Sequence, residues 1–472
     1  MTTWNNSLSE SHLAAVSAAA LSCVTFLIQY LLNPVYPPNH NDFLGFDIAT
    51  QTLWYPWFVL ERLLSAVFSS IAYIEIVSFI AVSSVSFSLY WAVYQLNGSR
   101  GGLGAAVLYT LSPFAVSAAT VVPAPSLVGF AVAAALIAAG LTRGRFAAGI
   151  TVVLGLILGF FPIYAAGFIL SVILAALFEW VGFERFRSFN STLALAGVTP
   201  SFVATLVLDG GTLQSLVSAS VSTISSTLPA GFSVSTMLTW FGPLTLLLGL
   251  VGVYRSMDDA TANTPLFAAL GIIGVVLFAQ RIVDPLLGFA FFGLGVFTLS
   301  GIAINDLLDI DVRNEYVFAV YTTIIAVLLV AIVNLLAFIQ TDVSASRPLP
   351  GDIDSYQGLS NVSDQGYVTA PREAPLAGYF LDEDAVLEAW QVNFSDATVF
   401  RAVFLTDLVE RAGANRTVIV SNWVESKFDS VNDRLNASSC FMSVYKSNDS
   451  RFGAWENECQ VTVSTASQPI TS

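Results

Sequence analysis

The sequence predicts a polytopic α-helical membrane protein of about eleven transmembrane helices with a small external α/β domain at its C-terminal end. Three observations predict it. Only 11% of the 472 residues are charged and 55% are hydrophobic, with a mean hydropathy of +0.72, whereas soluble domains carry about 25% charged residues. Apolar runs close to the ~20 residues that cross a bilayer recur from Leu13 to Gln340. Charge then returns abruptly, with 17 acidic and 9 basic residues among positions 343–472.

The expected spans are residues 12–32, 66–94, 103–121, 126–141, 147–161, 163–180, 190–208, 237–254, 265–280, 285–304 and 316–340. The first is a retained span and not a cleaved signal peptide, because no basic region leads it and its apolar run exceeds a signal core. Residues 147–180 form one apolar run, split at Pro162 because proline removes a backbone hydrogen bond that lipid cannot replace. Residues 341–377, rich in Ser, Pro, Gly and Asp, read as a linker. The organisation expected is therefore a membrane domain over 1–340, that linker, and an external domain over 378–472.

Orientation follows from the basic residues. With the N-terminus cytoplasmic, Arg100, Arg143, Arg145, Arg185, Arg187, Arg255 and Arg313 fall on cytoplasmic loops, and only Arg62 and Arg281 fall outside. That bias puts the C-terminal domain outside the cell. Five glycosylation sequons there agree, at Asn361, Asn393, Asn415, Asn436 and Asn448. Sequons at Asn97 and Asn190, on inside loops, are chance matches. Cys440 and Cys459 lie 19 residues apart in the same domain and suit a disulfide, while Cys23 sits alone in the first span.

Within the external domain, Phe400–Ala412 has a helical apolar face, and Thr417–Trp423, Cys440–Tyr445 and Gln460–Ser464 read as strands. The domain contains no histidine, so no nucleophile–His–acid set is possible in it, and zinc ligation by two cysteines is poor. It reads as a structural or recognition module. The net charge of −15 argues against a nucleic-acid partner, which needs clustered Lys and Arg. Sixteen Arg against only Lys427 and Lys446, with 33 acids, suggests a haloarchaeal-like chain adapted to high salt.

Ionisable groups at the membrane border are the candidates for chemistry. On the outer face these are His40, Asp42, Asp47, Glu61, Arg62, Asp209, Arg281 and Asp284, with Glu75 near the start of the second span. Asp258, Asp259, Asp306, Asp309 and Asp311 sit beside Arg255 and Arg313 on the cytoplasmic side and read as solvated loop charge. The first outer loop, NPVYPPNHNDFLGFDIATQTLWYPWFVLERLL, puts His40 and Asp42 on a turn just beyond the bilayer. Trp54, Tyr55 and Trp57 follow, and an interfacial aromatic belt accounts for them better than sugar stacking does. For Asp42 and Asp47 a plain acidic surface is the competing reading. Arg281 could clamp a phosphate bidentately, or it could pair with Asp284 or snorkel.

Gly101–Pro113 (GGLGAAVLYTLSP) opens a third span after a short basic loop and closes on Leu-Ser-Pro, and the paired short-helix segment GLILGFFPIYAAG follows. With many spans, an acidic first outer loop and an external C-terminal domain, this plan resembles the GT-C superfamily of polyprenyl-phosphate-dependent glycosyltransferases over about residues 1–340. The resemblance implies a membrane enzyme of the cell envelope. Asp42 would be the general base toward an acceptor hydroxyl, with Asp47 in reserve. Arg281 would hold the lipid phosphate, and His40 and Arg62 complete the candidate substrate-binding set. The implied partners are the lipid bilayer and a polyprenyl-phosphate-linked sugar. No cofactor is indicated, although a divalent metal is compatible with the outer acids.

The sequence departs from the family in two places. Asp42 is followed by Phe43, whereas many relatives carry adjacent acids, and the Trp-Trp-Asp-x-Gly motif of oligosaccharyltransferases is absent. Transfer of one sugar is therefore favoured over transfer of a whole glycan to Asn. Two other classes compete. Against a transporter, the spans carry almost no charge at mid-depth, only Glu75 near one edge, and no inverted repeat, an objection that an uncharged substrate would escape. A non-catalytic envelope protein with an external binding domain needs no site at all.

Overall fold

A computed structural model describes residues 2–33, 55–68, 70–122, 124–181, 189–208, 234–258, 264–279, 285–309, 332, 351–360, 366–369, 373–381, 386–388, 416–422, 425, 431–437, 441–447 and 451–457. The chain divides into two compact units, with the boundary at Ser346–Arg347.

The described elements of the first unit are all helices. Its described elements are α1 (Thr2–Leu32), α2 (Tyr55–Ser65), α3 (Tyr73–Asn97), α4 (Ser99–Thr110), α5 (Pro113–Val121), α6 (Ala124–Leu141), α7 (Arg145–Gly159), α8 (Pro162–Val181), α9 (Ser191–Leu208), α10 (Val234–Phe241), α11 (Pro243–Asp258), α12 (Thr264–Ala279) and α13 (Pro285–Asp309). Proline opens α5, α8, α11 and α13, where the missing N–H costs nothing because the first turn has no acceptor for it. Among the described residues, five helices are long and apolar enough to cross a membrane: 10–32, α3, α6, 162–180 and 288–308. Shorter apolar helices span 145–159, 191–207, 243–254 and 265–277.

Three expected spans differ from what forms. Residues 103–121 are two helices, because α4 ends at Thr110 and Ser112 caps a new helix, its Oγ accepting from Ala115 N at 3.1 Å. Residues 237–254 break at Gly242, where φ is +78° and Pro243 follows. The span expected from residue 66 begins only at Tyr73, after the separate helix α2. The last expected span, 316–340, lies outside the described residues apart from 332.

Glycines let backbones meet. A Cβ on Gly274 of α12 would come within 2.3 Å of Phe292 N and 2.6 Å of Gly288 O on α13. Gly155 and Gly197 bring α7 against α9 in the same way, and Gly301 brings α13 against Ala105 of α4. Between α3, α6, α12 and α13 lies a small cavity lined by Ser88, Ala134, Ile137, Phe267 and Thr298. Thr298 Oγ1 is buried there without a hydrogen-bond partner among the described residues. Thr298→Val keeps the shape and removes the orphan hydroxyl, so it is expected to raise stability by about 1 kcal/mol, read as a higher midpoint in a thermal melt of the detergent-solubilised protein.

The second unit is built on a five-stranded sheet in the order β2-β1-β3-β5-β4. Its described elements are α14 (Asp352–Ser360), β1 (Gly366–Thr369), α15 (Ala374–Phe380), β2 (Val386–Glu388), β3 (Arg416–Val420), α16 (Val431–Ala437), β4 (Phe441–Lys446) and β5 (Gly453–Asn457). β1 pairs in parallel with both β2 and β3, with Tyr367 opposite Val386 and Thr417. β5 closes the sheet antiparallel to β3 and β4, with Trp455 opposite Val418.

The composition that reads as a linker over 341–377 is here core structure, since α14, β1 and the start of α15 fall inside it. The reason is that its polar residues are buried. Glu373 is fully buried and accepts from Tyr356 Oη at 3.1 Å and from Ser421 Oγ. Asp352, also buried, accepts from Asn422 N at 3.1 Å. The strands expected at 417–423 and 440–445 correspond to β3 and β4 with shifted ends. The helix expected at 400–412 and the strand at 460–464 lie outside the described residues.

Burial pushes the Tyr356 hydroxyl well above its ordinary pKa, and the Glu373 carboxylate beside it adds to the rise. An unfolded tyrosine ionises near pH ~10, so the folded unit holds its proton where the unfolded chain has lost it. Stability is therefore full below that pH and falls as pH climbs through and beyond it. Tyr356→Phe is expected to flatten that alkaline loss, measured by thermal melts between neutral and alkaline pH.

Candidate functional site

The helices of the first unit alternate in direction, and the contacts show which ends lie together. Phe26 of α1 packs edge-on against Phe79 of α3, with ring centres 6.2 Å apart. Tyr109, at the end of α4, donates to Val82 O of α3 at 3.2 Å and packs on Phe297 of α13 at 5.4 Å. Phe114 of α5 stacks on Phe241 of α10, which packs on Phe289 in the first turns of α13. The end of α1 at Asn33, the α4–α5 break and the start of α13 therefore share one end of the unit.

That end carries the connections of interest. The segment with His40, Asp42 and Asp47 leaves from Asn33, and the segment with Arg281 and Asp284 leads from Ala279 into Pro285. His40, Asp42, Asp47, Asp209, Arg281 and Asp284 themselves lie outside the described residues. At the other end, Asn97 Nδ2 donates to Asp306 Oδ1 at 3.1 Å, and Asn305 Nδ2 donates to Asn97 Oδ1 at 3.1 Å. The Asn97 side chain is thus committed to packing α3 on α13, as befits a chance sequon.

Re-entry into the bundle is described. On α2, Glu61 is buried and accepts from Tyr73 Oη at 2.7 Å, which fastens α2 to the first turn of α3. Arg62, its neighbour, is exposed. Trp57 is fully buried, so it is a packing residue and not part of an interfacial belt. Glu75 is fully buried in the first turn of α3.

Sequence reasoning missed the polar side chains of α1. Thr25 and Gln29 on one face of α1, and Asn33 just past its end, recur every four residues, and all three are buried. Gln29 Nε2 donates to Ala115 O at 2.7 Å, and Asn33 Nδ2 donates to Val116 O at 3.2 Å and to Gln29 Oε1 at 2.9 Å. The signal was readable, because amides inside a membrane helix are costly and need partners.

In the second unit, Asn436 is exposed on α16, while Asn361, Asn393, Asn415, Asn448, Cys440 and Cys459 lie outside the described residues. Cys23, among the described cysteines, is free and exposed on α1. Among the described residues no group of three or more His, Cys, Asp or Glu could hold a metal ion.

No protein-family model matches the sequence, and no curated protein matches it. Solved structures do. ArnT from Cupriavidus metallidurans, bound to undecaprenyl phosphate, aligns at 10% identity with a TM-score of 0.55, covering 93% of this chain and 97% of that one. The Archaeoglobus fulgidus oligosaccharyltransferase, tethered to an acceptor peptide containing an NVT sequon, aligns at 13% identity with a TM-score of 0.54, covering 94% and 74%. The mycobacterial arabinofuranosyltransferase AftD aligns at 15% identity with a TM-score of 0.51, covering 94% of this chain and 41% of that one.

The chain has the GT-C fold. It is accordingly a multi-pass membrane protein, its apolar helices matching those of membrane glycosyltransferases. The GT-C likeness runs over nearly the whole chain, so both units contribute to it, whereas the resemblance in the sequence reached only residue 340.

Proposed function

We propose that the protein transfers a single sugar from a polyprenyl-phosphate carrier to an envelope glycan or a lipid-linked acceptor on the outer face of the membrane. One observation carries this reading: the fold likeness covers 93% of this chain and 97% of an ArnT whose structure holds undecaprenyl phosphate. The connectivity supports it, because the acid-bearing segment after Asn33 and the Arg281 segment before Pro285 join helix ends at the same end of the bundle.

On this reading Asp42 takes the proton of the acceptor hydroxyl as its oxygen bonds to the anomeric carbon. The bond from that carbon to the phosphate oxygen breaks, and the polyprenyl phosphate leaves with the electron pair. Arg281 stabilises the charge gathered there. Asp47 is the alternative base, and His40 and exposed Arg62 contact the substrate. The reaction belongs on the outer face, where eleven spans with a cytoplasmic N-terminus put these residues and the second unit. Five glycosylated asparagines and a Cys440–Cys459 disulfide belong to that external location.

Native mass spectrometry of the purified protein with polyprenyl phosphate tests the binding half. The wild type is expected to hold one lipid, and Arg281→Gln to weaken it by about 10-fold or more, the loss of a bidentate charged contact. No retention by the wild type would contradict the reading.

A further inference from the structure

Three strands of the second unit run parallel, in the order β2-β1-β3. From β1 the chain passes through α15 to β2 on one side, and from β2 it returns to β3 on the other. Beyond the C-terminal ends of β1 and β3 the connections therefore part in opposite directions, and it is in that crevice that open sheets of this kind take their ligands. Thr369 ends β1, Glu373 stands just before α15, and Ser421 and Asn422 follow β3. α14 adds Asp352 and Tyr356.

These side chains are linked one to the next. Tyr356 Oη and Ser421 Oγ both donate to Glu373, and the backbone N–H of Asn422 donates to Asp352. Tyr356 lies within the field of both carboxylates. All six residues are at most 3% exposed. Yet two polar atoms of the set have no hydrogen-bond partner among the described residues. One is Asn422 Oδ1. The other is Thr369 Oγ1, which lies beside Tyr356 Oη but outside hydrogen-bond geometry. Buried polar atoms left in this state are costly, so a pair of them at a sheet's switch point marks a set that a ligand completes.

The chemistry of the pair selects the ligand. Asn422 Oδ1 can only accept, whereas Thr369 Oγ1 has a proton to give as well as lone pairs. A cation would answer the amide oxygen and leave the Thr369 proton without an acceptor. An anion would face Asp352 and Glu373 and leave Asn422 Oδ1 unanswered. Ligand hydroxyls both give and take.

We infer that the crevice beyond β1 and β3 binds a neutral saccharide, whose hydroxyls donate to Asn422 Oδ1 and accept from Thr369 Oγ1. Glu373, held by Tyr356 and Ser421, ties the ends of the two strands together around them. The site lies in the second unit alone, and its filling does not depend on sugar transfer by the membrane unit.

The test is saturation-transfer NMR on the full-length protein in detergent, with glucose, mannose, galactose and N-acetylglucosamine as probes. The wild type is expected to bind at least one of them. Thr369→Val and Asn422→Leu keep the shape of the side chain, and each should weaken that binding about 10-fold or more. Thr417→Val is the control, because its Oγ1 is likewise buried without a partner among the described residues but sits near the start of β3. It should bind as wild type does. The ligand-free Tm should fall in none of the three, since each loses a polar group that had no partner.

No binding of any of these sugars by the wild type overturns the inference and leaves an ordered water only as the occupant. Binding that survives both Thr369→Val and Asn422→Leu puts the sugar elsewhere on the chain and overturns it as well. A lower Tm in ligand-free Thr369→Val would make that hydroxyl a structural contact, with the same consequence. None of these results bears on sugar transfer, which Asp42→Asn tests separately.

Discussion

Asp42→Asn is expected to lower sugar transfer by about 10²–10⁴-fold, the range typical of a lost general base. Asparagine keeps the size and hydrogen-bonding reach of the side chain but cannot take a proton from the acceptor hydroxyl. The substitution leaves the donor contact proposed for Arg281 untouched, so KM for the lipid donor should stay near wild type and the loss should appear in kcat. Asp47→Asn provides the comparison. If Asp42 is the base, Asp47→Asn costs far less, and if the two exchange ranks, the base lies five residues later in the same segment. Initial-rate measurements on both variants, at saturating and limiting donor, separate the outcomes.

Gly274→Val should be strongly destabilising to the membrane unit. The new Cβ would sit 2.3 Å from Phe292 N, and backbone cannot swing aside as a long side chain can. α12 must move off α13, which breaks the contacts along the whole crossing. Overpacking of this kind costs about 1–3 kcal/mol, and a backbone collision belongs at the upper end. Gly271, three residues away on the same helix, is the control, because a Cβ there meets nothing within 4 Å. Gly271→Ala should be neutral or slightly stabilising, since alanine favours a helix over glycine by about 1 kcal/mol. Thermal melts followed by size-exclusion fluorescence should separate the two variants clearly.

Much of the fold was legible because hydropathy is a strong signal in a chain with so little charge. The membrane class follows from it directly, and the break before Pro162 from the proline itself. The breaks at Ser112–Pro113 and Gly242–Pro243 did not, although each carries a turn dipeptide, because an apolar window averages across a short kink. The supposed linker misled for a different reason. Asp352 and Glu373 look solvated in composition, yet both carboxylates are buried and hydrogen-bonded within the second unit.

The proposed site rests on residue chemistry and on the family resemblance. Asp42, Asp47, His40 and Arg281 were chosen for charge at the membrane border, and they lie outside the described residues, so their assignment still stands on residue type and connectivity. Thr25, Gln29 and Asn33 were readable in principle. A search weighted toward formal charge passes over neutral amides and hydroxyls, yet in an apolar interior these too demand partners.

The most direct measurement is mass spectrometry of lipid-linked sugars and surface glycans in a deletion strain, complemented with wild type or with Asp42→Asn. Accumulation of a sugar-charged polyprenyl phosphate beside a glycan one sugar short, reversed by wild type and not by Asp42→Asn, is the result predicted. Unchanged lipids and glycans in the deletion strain would contradict sugar transfer as the function of this fold.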